Sequence, residues 1–504
     1  MRAMLAHVSG CIGPVGGNGM TRDFSCRAFR AGLVVGAALC AATASHAAVT
    51  ISSAAKSNMS CVSGVCTPTA ANAVLNVNDL TSLLASGNVT VNTASGSLAQ
   101  QVEDIIVSSS FNWASANSLT LDAYRTVAVD QPIAVNGSAG VSLVTNDGGS
   151  GGYLAFLSGG NFSFLGTANN LSINGAVYTL ENNVPSLASA IASNSGGNFA
   201  LANSYDASHD GTYKNAAITT EFSGNFEGLG NTISDLSFNG TGKGYPYVGL
   251  FAEVGLGNQP GGSIENIVLN NVTAVGDGFA VGGLVGLNLG TISGSFVSGS
   301  LTSNFKRGNP ELGVLVGANA GEITRSGATG TVKSKEPLLA GGLAGYSSGP
   351  ISQSYANCVI SGGEASAIGG LAGNSFASVS ESYAIGSAKS VANSETGGAL
   401  GENGSTVSQV YSTTSVKGSG DRGGLIGRDN SSPGSDTSDY WDISTSGVKK
   451  LSAGAGNEKN DPGITGLTTT QLTSGLPSGF DPTIWAESPT INSGFPYLIN
   501  NPPQ

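Results

Sequence analysis

Gly282 to Gly299 reads GGLVGLNLGTISGSFVSG, and the same pattern returns five times further along the chain. The later units open with GVLVG at Gly313, GGLAG at Gly341 and Gly369, GGALG at Gly397 and GGLIG at Gly423. Their spacings are 31, 28, 28, 28 and 26 residues, and a diverged unit, VGLFAEVG, starts at Val248. Aligned on the first glycine, the units match residue on residue. Two places in stand Leu284, Leu315, Leu343, Leu371, Ala399 and Leu425, with Leu400 following the one exception. Ten places in stand Ile292, Ile323, Ile351, Val379 and Val407. Next come Ser295, Ser326, Ser354 and Ser382, where Val410 breaks the row, and then Phe296, Gly327, Tyr355, Tyr383 and Tyr411. Asn288, Asn319 and Asn403 share the position after the glycine-rich piece with Ser347 and Ser375.

Each unit holds two short β-like pieces separated by turn residues, and neither can bury its apolar side alone. Stacking the units sets Leu on Leu and Ile on Ile in one continuous core. Each coil then advances by one strand spacing, ~4.8 Å. A polar residue repeated at a turn forms a hydrogen-bonded ladder down such a stack. The expected fold is all-β: an elongated, single-stranded, right-handed parallel β-helix (solenoid) with terminal caps, the hand following the crossover rule. A propeller blade needs ~40 residues, and the calcium-binding nonapeptide roll needs GGxGxD in tandem. NDGGSGG at Asn146–Gly152 is isolated and reads as a surface turn.

Composition agrees. Of 504 residues 76 are glycine and only 10% are charged, against ~25% in ordinary domains. Hydrophobic residues reach 40%, too many for a disordered chain. The net charge is −12, and no basic block of the kind that tracks a phosphate backbone occurs, so nucleic acid is not expected as a partner.

Arg22, Arg27 and Arg30 precede an apolar run, Ala31–Ala42, and then TASHAA. This is the layout of a secretory signal, cleaved near Ala47. The run is too short to span a bilayer, and no later stretch reaches ~18 apolar residues. Met20 is an alternative start. Cys61, Cys66 and Cys358 remain after cleavage. An exported compartment permits disulfides, and Cys61 and Cys66 are close enough for a small local bridge. Cys358 then reads as a small apolar core residue.

The GGLVGxNxGxIxxSxxxG pattern of Gly282–Gly299, with its copies at 313, 341 and 369, resembles the GLUG motif of bacterial secreted and cell-surface proteins. Such repeats occur in large adhesin-like exoproteins, and in some IgA-specific peptidases beside a separate protease domain. The segments SFNWASANSLTLDAYRTVAVDQPIAVNGSAGVSLVT and GNFEGLGNTISDLSFNG are similar to the coils of filamentous-haemagglutinin-type exoproteins. The resemblance implies a Gram-negative cell surface and an outer-membrane secretion partner, although the NPNG- or NPNL-like segment of that route is absent. Four parts follow: a signal peptide over 1–47, irregular β-helix coils with an N-terminal cap over 48–247, the repeats over 248–435, and a C-terminal cap or tail over 436–504. Helices are predicted at Val77–Ala85, capped by Asn78 or Asp79, and at Pro185–Ala192. Trp441, Trp485, Phe495 and Tyr497 are expected over the apolar end of the last coil, with an aromatic sugar platform as the rival reading.

Little points to catalysis. His209 is the one histidine beyond the signal, no HExxH or GxSxG is present, and YDASHDGTY gathers Asp206, His209 and Asp210 in what reads as a polar turn. Polysaccharide-degrading β-helices need clustered carboxylates. Glu322, Glu364, Glu381, Glu395 and Glu402 fall at differing offsets, and the Lys and Arg residues read as equally scattered. Asp122 and Arg125 read as a local charge pair. We therefore expect no enzyme, no cofactor and no metal site. The expected function is an adhesin-like rod, secreted or held at the cell surface, attaching to glycans, extracellular matrix or other cells through its repeated polar side chains. A polysaccharide lyase or glycosidase and a passive structural spacer are the alternatives.

Overall fold

The computed structural model describes residues 47–93, 102–157, 159–240, 247–257, 261–305 and 308–504. The predicted signal, apart from Ala47, lies outside the described residues. Parallel coils stack into a β-solenoid of about 14 turns. One repeat shows how a coil is made. It runs through four short strands, Ala280–Gly282, Val285–Asn288, Thr291–Ser293 and Phe296–Ser303. Each pairs in parallel with its counterpart one unit later, as Val285 with Val316 and Ile292 with Ile323. Neighbouring strands lie ~4.8 Å apart, so the repeat length sets the coil circumference and the strand spacing sets the rise.

The apolar rows face inward. Leu284, Leu315, Leu343, Leu371 and Leu425 are all fully buried, as are Ile292, Ile323, Ile351, Val379 and Val407. Each buried Leu or Ile contributes about 1.5–3 kcal/mol relative to exposure. The Ala399 exception is a compensated exchange. Leu400 pairs with Ala372, so where one coil has Leu371 and Ala372 the next has Ala399 and Leu400, and summed volume is kept. Glycine lets the sheets approach. A Cβ on Gly345 would meet the backbone nitrogen of Leu312, in the preceding coil, at 2.2 Å.

The two predicted helices form. α1 (Val77–Ser86) buries Val77, Leu80 and Leu84, and α2 (Val184–Ser193) buries Val184, Leu187 and Ile191. The α1 cap is Asn76, whose Oδ1 accepts from Asn78 N at 2.8 Å, rather than Asn78 or Asp79. Asn183 caps α2 in the same way through Ser186 N.

The stack is not one uniform tube. Asn170–Ile173 and Ala176–Glu181 pair antiparallel across a two-residue turn, Asn174–Gly175, in which both residues have positive φ. Asn-Gly is the favoured pair for such a turn. The same sheet then serves two cores. Leu171, Ile173, Ala200, Ala202 and Leu229 belong to the first, while Phe199, Leu201 and Phe226, from the strands that follow, belong to the second. Strand direction and core side therefore reverse together at this turn.

Candidate functional site

The polar rows turn out to point inward. Asn288, Asn319, Ser347, Ser375 and Asn403 are fully buried. Asn288 Nδ2 donates to Asn319 Oδ1 at 2.7 Å, and Asn319 Nδ2 to Ser347 Oγ at 2.9 Å. In the serine row, Ser326 N donates to Ser354 Oγ and Ser354 N to Ser382 Oγ, each at 3.1 Å. Buried side-chain amides and hydroxyls thus satisfy one another and the backbone at the coil corners. They are not on display, which corrects the expectation that these ladders make the external contacts.

The aromatic row is also covered. Tyr355, Tyr383 and Tyr411 stack with centroids 5.1 and 5.2 Å apart, each pair 8° from parallel. At Gly327 the row has no side chain, and a Cβ there would meet the rings of Phe296 and Tyr355 at 2.9 Å. The last 35 or so residues fold back along this row. Trp485 lies 6.1 Å from Tyr383 and 5.9 Å from Tyr411. Tyr440 Oη donates to Ser478 O at 2.7 Å, and Gln504 N to Tyr355 Oη at 2.9 Å. Trp485 therefore covers the flank of the coils instead of their end, and Trp441 sits inside a coil at 0% exposure. Neither they nor Tyr497, also buried, offers a sugar platform.

What does face outward is alternate residues of the strand stretch that follows the aromatic row in each repeat. Ser300, Thr331, Val359, Ser387 and Ser415 form one outer row, and Thr302, Lys333, Ser361, Lys389 and Lys417 the next. The buried row between them is Leu301, Val332, Ile360, Ala388 and Val416. Lys333, Lys389 and Lys417 are exposed. Beside Lys417, at Gly418, begins a groove of about 400 Å³ lined by Arg422, Lys449 and Lys450. None of these six cations has an ion-pair partner among the described residues. The bases are thus not all scattered, contrary to the expectation from the sequence. Lys333, Lys389 and Lys417 each stand twenty residues after the opening glycine of their unit. That shared offset is the signal that reveals the row.

The residues singled out for chemistry do other work. Asp206 caps a short turn through Ser208 N at 2.9 Å. Asp210 accepts from the hydroxyls of Tyr205 and Tyr213, and His209 meets Ser208 Oγ at 3.1 Å. Arg125 pairs with Asp104, Nη2 to Oδ2 at 2.6 Å, and not with Asp122. Burial and the nearby Asp147 hold Asp122 above the usual carboxylate range. Glu364 accepts from Asn393, Glu381 from Gln353 and Glu402 from Asn374 and Asn430, all one coil away. Glu395 faces Arg428 at 3.6 Å, and Glu322 is exposed. Cys61 and Cys66 are joined across a hairpin, directly opposite one another. Cys358 is buried, and burial pushes its thiol up to about 12. Asn146 closes the NDGGSGG turn through both backbone groups of Gly152.

A second cluster went unread. Asp429, Asp436 and Asp461 bring carboxylate oxygens within 4.8 Å of one another. They are 8%, 2% and 7% exposed. Asp429 occupies the ladder position of Asn288 and Asn403, and Asn403 Nδ2 donates to its Oδ1 at 3.0 Å. Val407 N serves Asp436 Oδ1, but Asp436 Oδ2 and Asp461 Oδ2 are buried with no hydrogen-bond partner. Burial, aided by Asp429, pushes Asp436 up to about 8 and Asp461 up to about 7. The neighbouring Asp439 differs: Val410 N and Thr437 N serve its two oxygens. The signal in the sequence was an acid at the sixth place of the last unit, where other units carry Asn or Ser.

The described residues define a parallel β-solenoid whose outer face, and not its ladders, meets solvent. No protein-family model matches the chain, and no solved structure does. A stretch of 105 residues is 36% identical to halomucin of Haloquadratum walsbyi. It covers 21% of this chain and 1% of that protein. No helix among the described residues is long and apolar enough to cross a membrane.

Proposed function

We propose that the chain is an exported surface or secreted rod that attaches to acidic glycans, by binding and without turnover. The observation that carries this is the row Lys333, Lys389 and Lys417 leading to Arg422, Lys449 and Lys450. Strand spacing puts Lys389 and Lys417 ~5 Å apart and Lys333 ~10 Å from Lys389. A linear polyanion lying along the axis would meet several cations at once, each contact weak and the sum considerable. The flanking Ser and Thr hydroxyls add donors and acceptors for sugar hydroxyls. The likeness to halomucin and to GLUG-bearing exoproteins supports a place at the cell surface. The predicted signal supports export.

The test is binding of the purified chain to heparin, to dextran and to duplex DNA of equal length at graded salt. Heparin binding that weakens steeply with salt, and at least tenfold in a Lys333→Ala/Lys389→Ala/Lys417→Ala variant, is expected. Equal binding of DNA would replace the glycan by any polyanion. No binding to any of the three would favour a passive spacer, and released oligosaccharide would make the protein an enzyme.

A further inference from the structure

The geometry points to a calcium site formed by Asp429, Asp436 and Asp461 at the C-terminal end of the rod. Two oxygens on opposite sides of one calcium ion, each at ~2.4 Å, stand ~4.8 Å apart, and no pair in the cluster exceeds that span. Magnesium, at ~2.1 Å, asks for a tighter octahedron and keeps most of its water. Three carboxylates are hard oxygen donors, the ligand type calcium takes.

Burial provides the independent reason. Asp436 and Asp461 are 2% and 7% exposed, yet each keeps an oxygen without a partner. Buried charges are ordinarily paired or bound to metal. No Lys or Arg pairs with any of the three among the described residues. The other buried acids of these coils, Asp439 and Asp442, are served by backbone N–H groups or by a hydroxyl. Asp436 and Asp461, beside an Asp429 whose Oδ1 accepts from Asn403 and Ser431, are left open.

Position suggests the purpose. Asp429 ends the strand Ile426–Asp429, Asp436 precedes Asp439–Asp442, and Asp461 precedes Ile464–Leu467. One ion would tie together the final turns, from which the tail departs to cover the tyrosines.

The test is thermal unfolding and calcium titration of the full chain, stripped with EDTA. One calcium per chain is expected, with an affinity in the micromolar to millimolar range of sensor and extracellular sites. At a hundredfold excess over Kd the Tm should rise by about 3 °C, and equal magnesium should do much less. Asp436→Asn and Asp461→Asn should each weaken the calcium response at least tenfold. A Tm identical in EDTA and in 10 mM calcium overturns the site, with no variant needed. A response that both variants retain overturns it too, and an equal response to magnesium overturns the assignment to calcium.

Discussion

The ring of Tyr383 lies against that of Tyr411, 5.2 Å away and 8° from parallel, and the Tyr411 hydroxyl donates to Pro496 O at 2.6 Å. Tyr411 thereby couples the stacked ring row directly to the tail. Trp485→Ala removes a fully buried indole from this contact and should cost about 3–5 kcal/mol. Tyr411→Phe should cost only about 1 kcal/mol, because Asn492 also serves the Pro496 carbonyl. Limited proteolysis followed by mass spectrometry should find the first alone clipped between 468 and 504.

The exchange between Leu371–Ala372 and Ala399–Leu400 makes a packing prediction. Leu371→Ala should destabilise by about 2–5 kcal/mol. Adding Ala372→Leu, which copies the following coil, should recover at least half of that loss in a denaturant titration. A double variant no more stable than the single one would mean that the two rows do not share volume.

Asn319 joins three coils, accepting from Asn288 and donating to Ser347 and to Gly349 O. Asn319→Ala leaves buried groups unserved on both sides and should cost about 1–3 kcal/mol. Ser347→Ala removes a donor to Gly349 O and an acceptor of Asn319 Nδ2, but that amide still reaches the carbonyls of Gly321 and Gly349, so the change should cost less. Equal losses in chemical unfolding would show that the ladder has no directionality.

Burial pushes Glu311 up to about 7 from 4.5, and Asp130 up to about 6 from 3.8. Between these limits the folded chain holds protons that the unfolded chain has released. Stability from these groups is therefore present at low pH and is lost as pH rises from about 4 to 7. Glu311→Gln should flatten this slope and raise the Tm at pH 8 relative to the parent. A slope unchanged in the variant would assign the pH dependence elsewhere.

Much of the architecture was legible because a solenoid writes its geometry as a period. A shared offset from the opening glycine of each unit sets Leu343 over Leu371 and Asn288 over Asn319. The direction in which a polar row faces was not legible, since an Asn at a corner serves equally inside or out. The reversal at Asn174–Gly175 carried its own signal, an Asn-Gly pair between alternating strands. The lysine row was hidden by intervening Ser361, and its shared offset shows only when every position is aligned. The aspartates were harder. Asp429 lies on the period, but Asp436 and Asp461 come from irregular turns whose meeting depends on how the last coils close.

The backbone nitrogen of Gln504 bonds to Tyr355, and Asn501 reaches the carbonyls of Gln353 and Ser326, which lie three and four coils back from Tyr440. The C-terminus is thus held on the flank of the rod, away from its tip. A handle attached after Gln504 would pull the tail off the tyrosines in shear, many contacts loaded together. A handle at the last coil would instead peel turns one at a time, so the two attachments should yield different rupture forces from the same molecule.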